Sequence, residues 1–304
     1  MHLNKNQIMP KPNFHIVDVF AEEKYAGNQL AVVRNAKRFS TTEMQKIAKE
    51  MHFSETTFIT SEEKHQGGYD VRIFTPETEL PFAGHPTLGT AYIILQEIIQ
   101  KPVTKIVLSL KVGQIPVTPT CVKGQPDVLW MKQAKPTFGQ TLNSTTISQV
   151  LGLNVADVDN RFPIQEVSTG VPFFITPLKN LSAVKRAKIN QEKYNQLIKN
   201  TEAKSILLFS PETYNKKNHL NVRMFADYYG IPEDPATGSG NGCLAAYLVK
   251  HRYFGQNKIN IRVEQGIEIG RPSLLLLKAE EDKQGNIDVN VGGKVIPIAK
   301  GELL

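Results

Sequence analysis

Short runs of alternating or continuous apolar residues recur along the chain at strand length, and few stretches carry a helical period. In the first part, strands are predicted over 14–20, 30–33, 57–60, 69–74, 105–110 and 113–116. A polar segment over 41–51 has the period of a surface helix, with Ser40 or Thr41 as its N-cap. Further on, strands fit 173–176, 205–209, 220–225, 259–263 and 274–277, and helices fit 146–151 and 191–199.

Part of this pattern occurs twice. Val71-Arg72-Ile73-Phe74 recurs as Val222-Arg223-Met224-Phe225, and each copy leads through a turn-rich stretch into a helix of small residues. The first stretch is Leu80-Pro81-Phe82-Ala83-Gly84-His85-Pro86, running on to Ala91-Tyr92. The second is Asp234-Pro235-Ala236-Thr237-Gly238-Ser239-Gly240, running on to Ala246-Tyr247. Aligning Pro81 with Pro235 sets Gly84 on Gly238 and His85 on Ser239. A weaker echo pairs Phe58-Ile59-Thr60 with Phe174-Ile175-Thr176 and sets Val171 opposite Glu55. Strand, turn, glycine and Ala-Tyr helix recurring in order predict a duplicated α+β protein. The expected boundary lies within 124–136, where glycine and proline cluster around Trp130, dividing a lobe over 1–128 from one over 129–304. The C-terminal tail is expected to pack back on the first lobe.

Composition narrows the class. A chain of 304 residues is long enough for two lobes. Hydrophobic residues at 40% and charged residues at 21% describe a globular protein. The apolar runs 206–209 and 274–277 fall far short of the roughly 20 residues of a membrane helix. The first twelve positions lack the apolar core of a signal peptide, so the expectation is a cytoplasmic protein without a membrane partner. Two cysteines, Cys121 and Cys243, make no disulfide framework, and the histidines show no metal-ligand spacing. The net charge is +7, yet the basic residues are scattered and the densest group is Lys185, Arg186 and Lys188. That pattern reads as a solvated face rather than a nucleic-acid surface, and it suits a small anionic substrate equally well.

The two glycine-opened helices carry the first chemistry. The leading N–H groups of a helix have no internal partner and sit at the positive end of its dipole. Glycine there lets a carboxylate or phosphate approach the backbone. Gly84 and Gly238, with Ser239 and Gly240, are therefore candidate anion contacts. The spacing is not that of a phosphate-binding P-loop. A dinucleotide fingerprint fails because 228–237 intervenes between strand and glycine.

Glu55, in Phe53-Ser54-Glu55-Thr56, stands at a turn before an apolar strand, where partial desolvation raises a carboxyl pKa toward neutrality. It is the candidate acid/base, and its weak-echo counterpart, Val171, carries no proton. His85 and Asp234 join it if the halves face one another, although Asp234 also has an ordinary turn-capping role before Pro235. Cys243, one turn inside the second helix start, is expected to be moderately reactive.

At these residues the sequence resembles the PhzF-like family of phenazine biosynthesis, related to the diaminopimelate epimerases. The resemblance runs from Asp18-Val19-Phe20 and Gly27-Asn28-Gln29 through Gln265-Gly266 and Gly270-Arg271-Pro272 to Gly292-Gly293-Lys294. It implies two pseudo-symmetric lobes, each a mixed sheet curled into a barrel around a central helix, and a homodimer without a cofactor. It implies further that Glu55 is the catalytic carboxylate, that His85, Asp234 and Ser239 contact substrate, and that Gly84, Gly238 and Gly240 supply backbone contacts.

Three functions follow. The first is an isomerase moving a proton on a cyclic or unsaturated amino or hydroxy carboxylate. The second is an amino-acid epimerase or racemase, which would need Cys243. The third is a ligand-binding or interaction protein of the same fold without turnover.

Overall fold

A computed structural model describes residues 11–122 and 125–304. The chain runs through β1 (Asn13–Val19), β2 (Asn28–Arg34), α1 (Thr41–Met51), β3 (Glu55–Ile59), β4 (Tyr69–Phe74) and a short β5 (Glu79–Leu80). Helix α2 (Gly84–Ile93) follows, then β6 (Ile106–Leu110), β7 (Gly113–Val122) and β8 (Gln125–Lys132). Next come β9 (Thr137–Leu142), α3 (Ser144–Leu151), β10 (Ile164–Ser168) and β11 (Pro172–Pro177). After α4 (Leu181–Arg186), α5 (Gln191–Ile198), β12 (Ser205–Ser210) and β13 (Leu220–Phe225), helix α6 spans Gly238–Lys250. Strands β14 (Lys258–Gln265), β15 (Ser273–Glu281), β16 (Ile287–Gly293) and β17 (Val295–Glu302) complete an α+β fold.

The pairings occur twice in the same order. β2 runs parallel to β3, β3 antiparallel to β4, β4 parallel to β6, and β6, β7 and β8 follow antiparallel. Likewise β11 runs parallel to β12, β12 antiparallel to β13, β13 parallel to β14, and β14, β15 and β16 follow antiparallel. Strands β1 and β10 open the two series, each antiparallel to the next strand. β8 pairs with β16, while β9 borders β10 and β17 borders β1, so the last strand lies on the first.

Side chains repeat with the strands. Arg72 on β4 holds Glu79 through Nε and Nη2 at 2.8 and 2.7 Å. Arg223 on β13 holds Glu233 the same way at 2.9 and 2.8 Å. Each guanidinium also lies over the phenylalanine two residues on, Phe74 or Phe225. Forked arginine–carboxylate pairs fix orientation as well as distance. The turn leading into each small-residue helix is thereby pinned alike in both halves.

Those helices form the centre of the packing. α6 reads Gly-Ser-Gly-Asn-Gly-Cys-Leu-Ala-Ala-Tyr-Leu-Val-Lys, apolar or small on every side, and nearly all of it is buried. It packs on β10, β11, β14, β15 and β16, as α2 packs on β1, β2, β3, β6 and β8. Small residues allow this approach: a Cβ on Gly89 would sit 2.5 Å from Leu30 Cδ2. By contrast α1 is a surface helix. Ser40 is its N-cap, in a capping box with Glu43.

The predicted spans match closely where apolar periodicity is strong. Strand β4, helix α1 and strand β13 have the expected limits. The strand expected over 113–116 runs on as β7 through Pro116 and Pro119 to Val122, with a bulge just beyond Pro119. Phe20, expected in a strand, instead adopts a left-handed φ of 60° and ends β1. Within the expected boundary region, Gly124 lies outside the described residues, and β8 with Trp130 occupies the stretch that follows. The N-terminal positions 1–10, on which the leader reading rests, also lie outside them. Among the described residues no helix is long and apolar enough to cross a membrane. In the basic group, Arg186 pairs with Asp157 and Lys185 lies over Tyr214.

Candidate functional site

Both central helices begin at their glycines. Ala83 caps α2 and Thr237 caps α6, and neither side chain accepts from the helix. Ala83 has no group to offer, and the Thr237 hydroxyl instead donates to Asp234. Pro86 removes a further donor from α2. The first N–H groups of Gly84, His85, Gly238, Ser239 and Gly240 thus have no capping side chain. The two starts meet: a Cβ on Gly84 would lie 3.5 Å from the Ser239 nitrogen and 3.7 Å from Gly238 Cα. Two positive dipole ends in contact repel each other, and an anion between them relieves that repulsion.

Glu55 opens β3 and His85 stands in the first turn of α2. A hydrogen bond between Thr57 on β3 and Thr90 on α2, 2.7 Å long, fixes the two elements in register. Glu55 Oε2 and His85 Nε2 come within 3.4 Å, with the side chains only 13% and 7% exposed. Both atoms are buried and neither makes a hydrogen bond among the described residues. Burial, reinforced by the charge of Asp234, pushes Glu55 up to about 8. Burial pushes His85 down to about 3, against a hydrogen bond to the Gln29 backbone. His85 Nε2 faces Glu55. At neutral pH the pair is a carboxylic acid beside a neutral imidazole.

Asp234 closes the site from the other half. Its Oδ1 accepts from Asn28 Nδ2 at 2.9 Å and its Oδ2 from Thr237 Oγ1. Gln265 donates to the Asp234 carbonyl and to Thr237 Oγ1, and its Oε1 accepts from Asn241 at 2.8 Å. Burial raises the Asp234 pKa, and the hydrogen bonds from Thr237 and Asn28 oppose that rise. Asp234 is therefore not a helix cap. The short Asp-Pro turn is held by a residue more than two hundred positions away, which no local pattern reports.

The expected residues divide into three groups. Glu55, His85, Gly84, Gly238 and Ser239 come together, and Asp234 faces Glu55 closely enough to raise its pKa. Gly240 starts the same helix, but its open side meets Leu207 Cδ1 at 2.9 Å and Phe173 Cε1 at 3.2 Å, so only its backbone serves the site. Cys243 stands apart, fully buried in the core, with its thiol pushed up to about 12 chiefly by burial. It bonds weakly to Thr169 and the Val171 carbonyl, and the expected reactivity is absent because no solvent or cation stabilises a thiolate.

The counterpart of Glu55 also needs correcting. Phe58 pairs with Arg72 and Leu208 with Arg223, while Leu30 pairs with Glu55 and Phe173 with Ser205. Ser205, not Val171, therefore occupies the Glu55 position in the second half. The Phe-Ile-Thr echo misled because such alternation marks any inner strand. One carboxylate in one half remains the arrangement. Asn28, Thr237 and Gln265 were not singled out as functional, although Asn28 and Gln265 lie in segments that carry the resemblance.

Taken together, these features describe an α+β protein in which two uncapped helix starts meet beside a buried carboxyl–imidazole pair. The chain belongs to the phenazine biosynthesis-like family, whose model matches residues 17–301, and it is an isomerase of that family. It is 32% identical over 294 residues to the trans-2,3-dihydro-3-hydroxyanthranilate isomerase of Pseudomonas chlororaphis, covering 96% of this chain and 99% of the relative. The crystal structure of the Bacillus anthracis phenazine biosynthesis protein of the PhzF family superposes with a TM-score of 0.88 at 29% identity, covering 97% of this chain and all of the other. A probable proline racemase from Agrobacterium radiobacter shares the fold at a TM-score of 0.60 and 8% identity, covering 96% of this chain and 93% of its own.

Proposed function

We propose that this isomerase moves a proton along one face of a small cyclic or unsaturated amino or hydroxy carboxylate, with Glu55 as the single acid/base. The observation that carries the reading is the buried, unpartnered Glu55–His85 contact beside two touching helix starts, with a serine in the pseudo-equivalent position. The substrate sits between two lobes divided near residue 128, each a barrel around its central helix. The repeated strand order and the burial of α2 and α6 support that division.

The substrate carboxylate lies at the N–H groups of Gly84, Gly238 and Ser239, and Asp234 accepts from its amino or hydroxyl substituent. The minor fraction of Glu55 that is ionised at neutral pH takes a proton from an acidic carbon. The electron pair left behind spreads through the conjugated system toward the carboxylate, where the helix starts stabilise it. The same carboxyl then returns the proton at another carbon, and the neutral His85 Nε2 accepts a hydrogen bond from the protonated state. A carboxyl near neutrality suits both transfers. Acid–base chemistry of this kind calls on no cofactor. Two-base epimerisation lacks its second base, since Ser205 and Ser239 occupy the matching positions and Cys243 is a neutral core thiol. The homodimer belongs to the same reading, and light scattering that finds a monomer would remove it.

Trans-2,3-dihydro-3-hydroxyanthranilate, the substrate named for the relative, is the first compound to try in deuterated water. Wild-type protein is expected to convert it with solvent deuterium uptake. Glu55→Gln is expected to lose about a hundredfold or more in rate while keeping its circular dichroism spectrum and a melting temperature no lower than that of wild type. Full exchange in the folded Gln variant would take Glu55 out of the reaction.

A further inference from the structure

We infer that Asn28 is a positioning residue of this site: it reaches across from the first half and sets the Asp234 carboxylate toward the substrate. Asn28 opens β2 and is 2% exposed. Its Nδ2 donates to Asp234 Oδ1 at 2.9 Å and to the Ala236 carbonyl at 3.0 Å, and so grips both ends of the turn that leads into α6. With Thr237 on Oδ2, each carboxylate oxygen has one protein donor and keeps acceptor capacity for a ligand.

The loop carrying Asn28 is itself fixed from the second half. Arg271 Nη2 donates to Asp18 Oδ1 at 2.7 Å and to the Ala26 carbonyl at 2.6 Å, and Arg271 Nε donates to the Gly27 carbonyl at 3.0 Å. The Gly27 N–H donates to the Pro272 carbonyl at 3.0 Å. Gly27 has a φ of 67°, and a Cβ there would lie 2.4 Å from the Val19 carbonyl, so only glycine allows the turn. Asp18 is buried, and Tyr25 N–H occupies its second oxygen.

The pseudo-symmetry separates this role from simple fastening. Leu30 and Phe173 are equivalent, so Asn28 corresponds to Val171, and the proline alignment sets Asp234 on Leu80. The matching positions of the other half, Val171 and Leu80, carry no polar side chain. A bond that only held the halves together would serve equally in both places. It occurs solely where a carboxylate faces Glu55. The charged and titratable groups around Asp234 are Glu55 on β3, Glu233 beside it in the chain, and His85 beyond Glu55.

The inference rests on the reading of Asp234 as the substrate's acceptor, and its test has one arm that needs no turnover. In Asn28→Val, which installs the counterpart residue, kcat on trans-2,3-dihydro-3-hydroxyanthranilate is expected to fall about tenfold or more while KM changes less than about threefold. Loss of one of two donors disfavours the ionised Asp234, so its carboxyl is expected to titrate about one pH unit higher than in wild type. Asn28→Ser, which keeps a donor, is expected to recover part of both effects, and it stands in if the valine variant does not fold. Carbon-13 NMR titration of the Asp234 carboxyl, assigned by its loss in Asp234→Asn, is expected to show the same upward shift without substrate. An unchanged Asp234 titration and kcat in folded Asn28 variants, even with a lowered melting temperature, would overturn the inference. Absence of turnover in the wild type would count against the proposed reaction, and the NMR titration would still decide the role of Asn28.

Discussion

At the scale of single residues, the pH behaviour of the Glu55–His85 pair is the sharpest consequence of burial. The folded-state value of Glu55, about 8, lies above the ordinary 4.5, so the folded chain keeps a proton that the unfolded chain releases. Its contribution to stability is fully present below pH 4.5 and is lost as pH rises through 8. His85 works in the opposite sense. Its value of about 3, below 6.5, gives a contribution present above 6.5 and lost as pH falls toward 3. A glutamine at position 55 does not titrate, so comparing the two proteins isolates Glu55. Chemical denaturation between pH 4.5 and 8 is expected to favour Glu55→Gln increasingly over wild type, by on the order of a few kcal/mol at the alkaline end. A difference that stays flat would mean that Glu55 is already ionised in the resting protein. The sequence revealed Glu55 through its own neighbourhood, a turn followed by an apolar strand. It could not reveal Asn28 as the holder of Asp234, because that bond is made only after distant strands have paired. Nor could it report the left-handed Phe20, since Asp18-Val19-Phe20 reads as an uninterrupted strand.

At the scale of elements, the two helix starts were legible because their chemistry is local: a strand, a turn, then glycine and small residues. Their meeting tip to tip was not, because it depends on how the sheets wrap around α2 and α6. Substituting glycines at different points distinguishes access from packing. A Cβ on Gly84 makes only ordinary contacts, 3.5 Å to the Ser239 nitrogen and 3.7 Å to Gly238 Cα and Met131 Cε. Gly84→Ala is therefore expected to fold, with its melting temperature unchanged or slightly raised, since alanine suits a helix better than glycine. Its methyl group occupies the space between the starts, so KM for an anionic substrate is expected to rise about tenfold. Gly293 is the contrasting position. A Cβ there would lie 2.4 Å from Phe20 Cδ1, and the strand opposite leaves no room to retreat, with the Leu274 carbonyl at 3.4 Å. Gly293→Ala is expected to cost about 1–3 kcal/mol in denaturant titration. A destabilised Gly84→Ala with unchanged KM would reverse both assignments.

At the scale of the whole molecule, the order of strand pairing makes the ends of the chain interdependent. β17 lies antiparallel to β1 from Asn13 to Val19, and just beyond that seam the Phe20 N–H donates to the Lys294 carbonyl at 2.8 Å. The Phe20 carbonyl in turn accepts from Leu274 N–H at 2.8 Å, and its ring lies where a Cβ on Gly238 would approach Cζ to 3.3 Å. Lys294, the residue that leads into the C-terminal strand, therefore bears on the start of α6 through one buried, left-handed phenylalanine. A bulky residue at positive φ persists only where its surroundings hold it, and here two backbone segments from the C-terminal part of the chain, at Leu274 and Lys294, do so. Removing residues 295–304 is expected to expose the β1 edge, to loosen Lys294, whose carbonyl holds Phe20, and to abolish both the cooperative thermal transition and deuterium exchange. Circular dichroism melting and exchange measured on the same truncated preparation test this jointly. A truncated chain that melted cooperatively and still exchanged substrate protons would show that β17 is dispensable, and that the start of α6 is held by the second half alone.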